Sequence, residues 1–161
     1  ALAYGLWGVP RFTKDLDINV FAAGERLRTV FAVLRELGCT VDEAVAMQEA
    51  ERDGLMVFHL GTLRIDVFTA SIEFCRQAED RRVLRRVGGS QAWFLSAEVL
   101  AVFKLLFFRA KDVVDLERLL VVQGPRLDVA WVRAQLVTVV GEDDERVRRW
   151  DALVAAAKPT R

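Results

Sequence analysis

Residues 15–20 read Asp-Leu-Asp-Ile-Asn-Val, a strict alternation of polar and apolar side chains. Such a run folds as a half-buried strand, because successive strand side chains point to opposite faces. Leu16, Ile18 and Val20 then face a core while Asp15, Asp17 and Asn19 share the other face. The run Leu63-Arg64-Ile65-Asp66-Val67-Phe68 obeys the same rule, with Asp66 opposite to the face of Ile65 and Val67. If the two strands are neighbours in register, three carboxylates converge on one patch. Like charges at that spacing repel unless protonated or neutralised, and hard divalent cations with oxygen ligands are the usual neutraliser. An Asp-x-Asp pair alone is also common on solvated strand ends. The third acid in a second strand distinguishes this chain, as do the breaks at Gly5, Gly8 and Pro10 and the cations Arg11 and Lys14 beside the acids.

A second unusual segment is residues 96–109. Projected as a helix, Val99, Leu100, Val102, Phe103, Leu105, Leu106, Phe107 and Phe108 surround it and leave Lys104 as the charge at its centre. A helix apolar all round is buried, so its ammonium needs an anion or a route to water. Snorkelling to the surface is one solution. Asp112 and Asp115 follow closely, Asp112 also being suited to cap a helix.

Three ordered blocks resemble a known family: Ala1 to Gly5 through Pro10-Arg11-x-Thr13-Lys14-Asp15-Leu16-Asp17, then Asp66, then 95–104 with Arg109-Ala110-Lys111-Asp112-Val113-Val114-Asp115-Leu116. They are similar to the minimal nucleotidyltransferases of the DNA polymerase beta type, in particular the AbiEii and MenT-like bacterial group. The resemblance covers residues 1 to about 120. It implies an α/β (α+β) fold, with a mixed sheet flanked by helices and a helical C-terminal portion. It implies a transferase moving a nucleoside monophosphate from an NTP to a hydroxyl of tRNA or protein, with a small molecule such as an aminoglycoside ranking lower. Asp15, Asp17 and Asp66 would hold Mg²⁺ or Mn²⁺, and Lys104 would face the triphosphate. Arg11, Lys14 and Asp115 would assist nucleotide binding. An antitoxin-like protein is the implied partner. The family's phosphate-binding Gly-Gly or Gly-Ser pair is expected upstream of Ala1, and its presence would separate an enzyme from a non-catalytic, partner-binding module of the same fold.

The remaining features bound the reading. A chain of 161 residues, 53% hydrophobic, can bury one substantial core, so a single domain over 1–161 is expected, with an α/β core at 1–90 and a helical portion at 91–161. Lys+Arg and Asp+Glu balance at 23 each, which speaks against a globally basic nucleic-acid binder. Cys39 and Cys75 lack metal-ligand spacing and read as free buried thiols of a cytoplasmic protein. No secretory signal or membrane-spanning run is visible, so no membrane partner is expected.

The periodicities predict a helix end at 1–7, strands at 15–21 and 40–46, a helix over 24–37 and a hairpin of 55–60 with 63–69. They also predict a strand at 82–87 and, after Gly88-Gly89, helices near 96–109, 112–122, 128–140 and 143–157. His59, in an apolar strand, reads as a hydrogen-bonded structural residue, and the scarcity of histidine disfavours a metal-dependent phosphohydrolase. Trp93, Trp131 and Trp150 read as core anchors. The arginines of 81–86 fit either phosphate contacts or the charged defence of an edge strand.

Overall fold

A computed structural model of the protein describes residues 2–9 and 13–157. In chain order they form α1 (Leu2–Trp7), β1 (Asp15–Val20), α2 (Leu27–Glu36), α3 (Glu43–Asp53), β2 (Leu55–Leu60), β3 (Leu63–Thr69), α4 (Phe74–Asp80), β4 (Val83–Val87), β5 (Ser90–Phe94), α5 (Ala97–Phe107), α6 (Ala110–Gln123), α7 (Val129–Val140) and α8 (Glu145–Ala157). The fold is α+β. Its contacts divide it into two compact units, residues 1–2 with 11–76, and residues 3–10 with 77–161. The change of texture expected near residue 90 falls earlier, inside α4, so the β4–β5 hairpin belongs with the helices.

In the first unit the strand order is β1-β3-β2, with β1 parallel and β2 antiparallel to β3. Parallel neighbours need a long crossover, and the segment containing α2, α3 and β2 supplies it. Ile65 and Val67 of β3 and Met56 and Phe58 of β2 form a buried face with Leu27, Phe31 and Leu34 of α2 and Ala46 and Ala50 of α3. Leu16, Ile18 and Val20 pack against that core, as their alternation requires. Phe31 and Phe58 meet with ring centroids 6.4 Å apart, a tilted aromatic contact.

In the second unit α5 is central to the core, with Val99, Ala101, Val102 and Leu105 buried against a set that includes Leu116, Leu119, Val132, Leu136, Val147 and Trp150. The Ser96 hydroxyl accepts from the Val99 amide at 3.3 Å and starts the helix. Phe108 ends it in the left-handed region at φ 52°, an uncommon conformation for a bulky residue, which reverses the chain into α6.

Several expectations are corrected. The strand at 40–46 is instead the start of α3, because Asp42 accepts from the amides of Ala44 and Val45 at 3.0 and 3.1 Å and nucleates a helix whose buried face is only Ala46 and Ala50. The segment after Gly88-Gly89 is strand β5, since both glycines take positive φ, 55° and 86°, the requirement of a tight hairpin turn. Helix α4 lies in a stretch that no periodicity assigned. Trp93, read as a core anchor, is exposed at 58%. Trp131 is half-buried, and Trp150 is a core anchor.

Candidate functional site

The acids of β1 and β3 meet as their alternation predicts. In the parallel register Asp17 lies opposite Asp66 and Asp15 opposite Arg64. Neighbouring strands are about 4.8 Å apart and alternate residues on one strand about 6.6 Å apart. The three carboxylates therefore share one face of the sheet, away from Ile65 and Val67. Pairing of β2 extends the face, because Val57 lies opposite Asp66 and His59 opposite Arg64. Across the three strands one row reads Asp15, Arg64, His59 and the next Asp17, Asp66, Val57. At the start of β1 the Thr13 hydroxyl donates to the Asp15 carbonyl at 2.9 Å and accepts from the Asp15 amide at 3.3 Å, fixing the backbone just before the first acid.

A cation is already on this face. Arg64 Nε donates to Asp66 Oδ1 at 2.7 Å, with the arginine about half exposed and the aspartate side chain 15% exposed. The hydrogen bond and charge of Asp66, with the further charges of Asp15 and Asp17, raise the Arg64 pKa above its ordinary value. Among the described residues no three His, Cys, Asp or Glu side chains are disposed to hold a metal ion. The donor set, three carboxylates on one face, has the chemistry of a hard-cation site; Arg64 occupies Asp66 Oδ1, so an ion there competes with it or uses the second oxygen.

The alternation of β3 already puts Arg64 on this face with Asp66; His59 is the residue the sequence reading left out of it. His59 was expected to be a hydrogen-bonded structural residue of an apolar strand, and it is exposed. The signal was present: Met56 and Phe58 are the buried pair of β2, so His59, one residue beyond Phe58, faces the acids. Lys14 is described and exposed just before β1; Arg11 lies outside the described residues.

In the second unit Lys104 is surrounded by carboxylates. Its ammonium donates to Asp115 Oδ2 at 2.6 Å and to Asp112 Oδ1 at 3.3 Å, and it lies 5.1 Å from the centroid of the Tyr4 ring. The lysine side chain is 8% exposed and those of the aspartates 2% and 4%, so it does not snorkel. Arg109 joins the group, its Nε donating to Asp112 Oδ2 at 2.6 Å. Lys104 and Arg109 thus offset charge on Asp112 and Asp115. Asp112 is not an N-cap: it sits in the first turn of α6 and accepts from the amide of Arg109, the capping residue, at 3.3 Å. Burial pushes the Asp112 carboxyl up, but the hydrogen bond from Arg109 and the charges of Lys104 and Arg109 outweigh it and hold the carboxyl below its ordinary value.

Cys39 and Cys75 are free and buried. Among the described residues no helix is long and apolar enough to cross a membrane. Neither the family models nor the curated proteins with which the chain was compared give a match.

Proposed function

We propose that the protein is a metal-dependent nucleotidyltransferase that moves a nucleoside monophosphate from an NTP to a hydroxyl, with tRNA or a protein side chain as acceptor. The observation that carries the reading is the register that sets Asp17 opposite Asp66, with Asp15 on the same face. Asp15, Asp17 and Asp66 would hold Mg²⁺ or Mn²⁺. Divalent ions bound there would supply charge neutralisation for the triphosphate and the departing oxygen. In this reading Asp66 also takes the proton of the acceptor hydroxyl, which requires its carboxylate to be released from Arg64. Arg64, once released, is a cation on the same face, and Lys14 stands just before the strand. Arg11 belongs to the nucleotide set by resemblance alone. Lys104 enters by resemblance alone as a triphosphate ligand, with Asp112 and Asp115 as the groups that orient it, although its burial between them suits a packing role better. A cytoplasmic setting fits the two free thiols, and an antitoxin-like protein is the proposed partner.

The Arg64–Asp66 pair favours a second reading, a non-catalytic module of the same fold that acts by binding a protein partner, because it satisfies the third acid without a metal. Incubation of the full-length protein with α-phosphate-labelled NTPs, Mg²⁺ or Mn²⁺, and total RNA or lysate separates the two. The transferase reading expects label on a macromolecule, and Asp17→Asn to lower the rate by about 100-fold or more because charge on the transferring group is no longer offset. No labelled acceptor from protein shown to be folded would favour the second reading.

A further inference from the structure

The β4–β5 hairpin has two faces of different character. Register pairs Val83 with Phe94 and Arg85 with Ala92 on one face, and Leu84 with Trp93 and Arg86 with Gln91 on the other. The first face is shielded only at its base: Val83 and Phe94 are half-buried and the Arg85 guanidinium lies 5.1 Å from the Trp7 ring centroid, while Val87 toward the turn is 49% exposed. The second is open to water, with Leu84 40% and Trp93 58% exposed. The Arg82 guanidinium lies 4.9 Å from the Trp93 ring centroid, tethered by a 3.0 Å ion pair to Glu79. Arg86, farther along the same face, has no ion pair among the described residues.

Residues 81–94 contain four arginines and no acid, in a chain of zero net charge. We propose that the outer face of this hairpin, Arg82, Leu84, Arg86, Gln91 and Trp93, binds a single-stranded stretch of RNA. Charge complementarity selects a polyanion. An exposed indole beside arginines is the surface on which unstacked bases stack while the cations follow the phosphates. Charged defence of a strand edge accounts for arginines but not for a tryptophan left in water on the flat of the strand. A duplex keeps its bases stacked and offers the ring nothing. A membrane-inserting hairpin would carry its large apolar residues at the tip, whereas beside the Gly88-Gly89 turn here there is only Val87, and Trp93 lies toward the other end. The choice of RNA as the polynucleotide rests on the transferase reading, in which RNA supplies the acceptor hydroxyl; the stacking and charge argument is independent of it.

Fluorescence anisotropy of a short labelled single-stranded RNA with the full-length protein, without NTP or metal, tests the proposal. A duplex of the same sequence and vesicles containing phosphatidylserine serve as competitors. Single-stranded RNA should bind in preference to both competitors and weaken with salt. Arg86→Ala should reduce the log–log salt slope by about 0.7, the loss of one phosphate contact on a single strand. Trp93→Ala should weaken binding about 5- to 150-fold, and Trp93→Phe should recover most of it. Preference for duplex or vesicles overturns the proposal. So does RNA binding indifferent to both alanine substitutions in variants that keep the wild-type circular dichroism. Asp15→Asn/Asp17→Asn should bind RNA normally. RNA binding without nucleotidyl transfer therefore removes the transferase reading alone, and transfer without hairpin-dependent RNA binding removes this proposal alone.

Discussion

The two aspartate clusters of this protein use the same residue types to opposite ends. On the sheet face, Asp15 and Asp17 are exposed and Asp66 is held by one half-exposed arginine. Between α5 and α6, Asp112 and Asp115 are almost wholly buried and share Lys104. Water decides the difference. Ions at a surface keep most of their hydration, so their mutual attraction is small and exchange for a ligand is cheap. Ions out of water depend on each other, and removing one strands the rest. A side chain that must meet a substrate is better placed in the first setting, while one that fixes the packing of two helices is suited to the second.

The largest effect expected from this comparison is on stability. Lys104→Met keeps the length and apolar stem of the side chain but leaves Asp115 without its 2.6 Å partner. Breaking a buried pair in this way costs about 3–5 kcal/mol. All four tryptophans, residues 7, 93, 131 and 150, fall in the second unit, so the urea midpoint of tryptophan fluorescence reports on the right region. A midpoint unchanged from wild type would mean that the cluster is hydrated in solution, and the contrast between the two sites would fail. Replacing the pair together, as Lys104→Met/Asp115→Leu, should recover much of the loss, because apolar substitutes remove the desolvation penalty along with the attraction.

A smaller effect separates the clusters by pH. The Asp112 carboxyl is held below its ordinary value of 3.8 in the folded protein. The unfolded chain therefore takes up this proton at higher pH than the folded one. The stabilisation is complete above the unfolded pKa and is lost as pH falls through the lower, folded pKa. Stability of the second unit should be level at neutral pH and decline from about pH 4 downward. Asp112→Asn should be less stable at pH 7 and show a shallower acid decline. Asp144, at the start of α8, adds a separate component: hydrogen bonds from Arg146 lower its pKa to about 2. Urea titrations of wild type and Asp112→Asn across the acid range, followed by tryptophan fluorescence, check the sign. Parallel acid slopes in the two proteins would exclude Asp112 as a source of the decline.

The sheet face was legible in the sequence because period-two alternation encodes facing directly, and a two-residue connection, Gly61-Thr62, fixed the β2–β3 register that also brings His59 and Arg64 onto it. The long helices of the second unit were legible because apolar stripes repeat over several turns. Helix α3 was not: its buried face is two alanines, too small to stand out against Val41 and Val45, which suit a strand. Strand β5 was not, because an exposed five-residue strand has no apolar face to announce it. The ring of carboxylates around Lys104 was half legible. Spacing showed an ammonium inside an apolar helix near two acids, but the reversal at Phe108 that brings α6 alongside is a backbone conformation that a phenylalanine does not advertise.

The smallest effect concerns the Arg64–Asp66 ion pair on the open face. Because the Arg64 guanidinium is solvated, Arg64→Gln should leave the unfolding midpoint within measurement error, in contrast to Lys104→Met. It also removes the cation that competes for Asp66 Oδ1 and leaves Asp15, Asp17 and Asp66 less neutralised. On the transferase reading, calorimetric titration of the variant with Mn²⁺ alone should then show several-fold tighter binding than wild type, since the ion no longer displaces a guanidinium and enters a more negative field. In the presence of NTP the gain should shrink, because in the wild-type protein Arg64 released from Asp66 is available to the triphosphate. Unchanged or weaker Mn²⁺ binding by a folded Arg64→Gln protein would show that Arg64 and a metal do not compete for Asp66. Absence of Mn²⁺ binding from both folded proteins, rather than equal binding, is the outcome that would favour the non-catalytic reading, in which the arginine permanently satisfies the third acid.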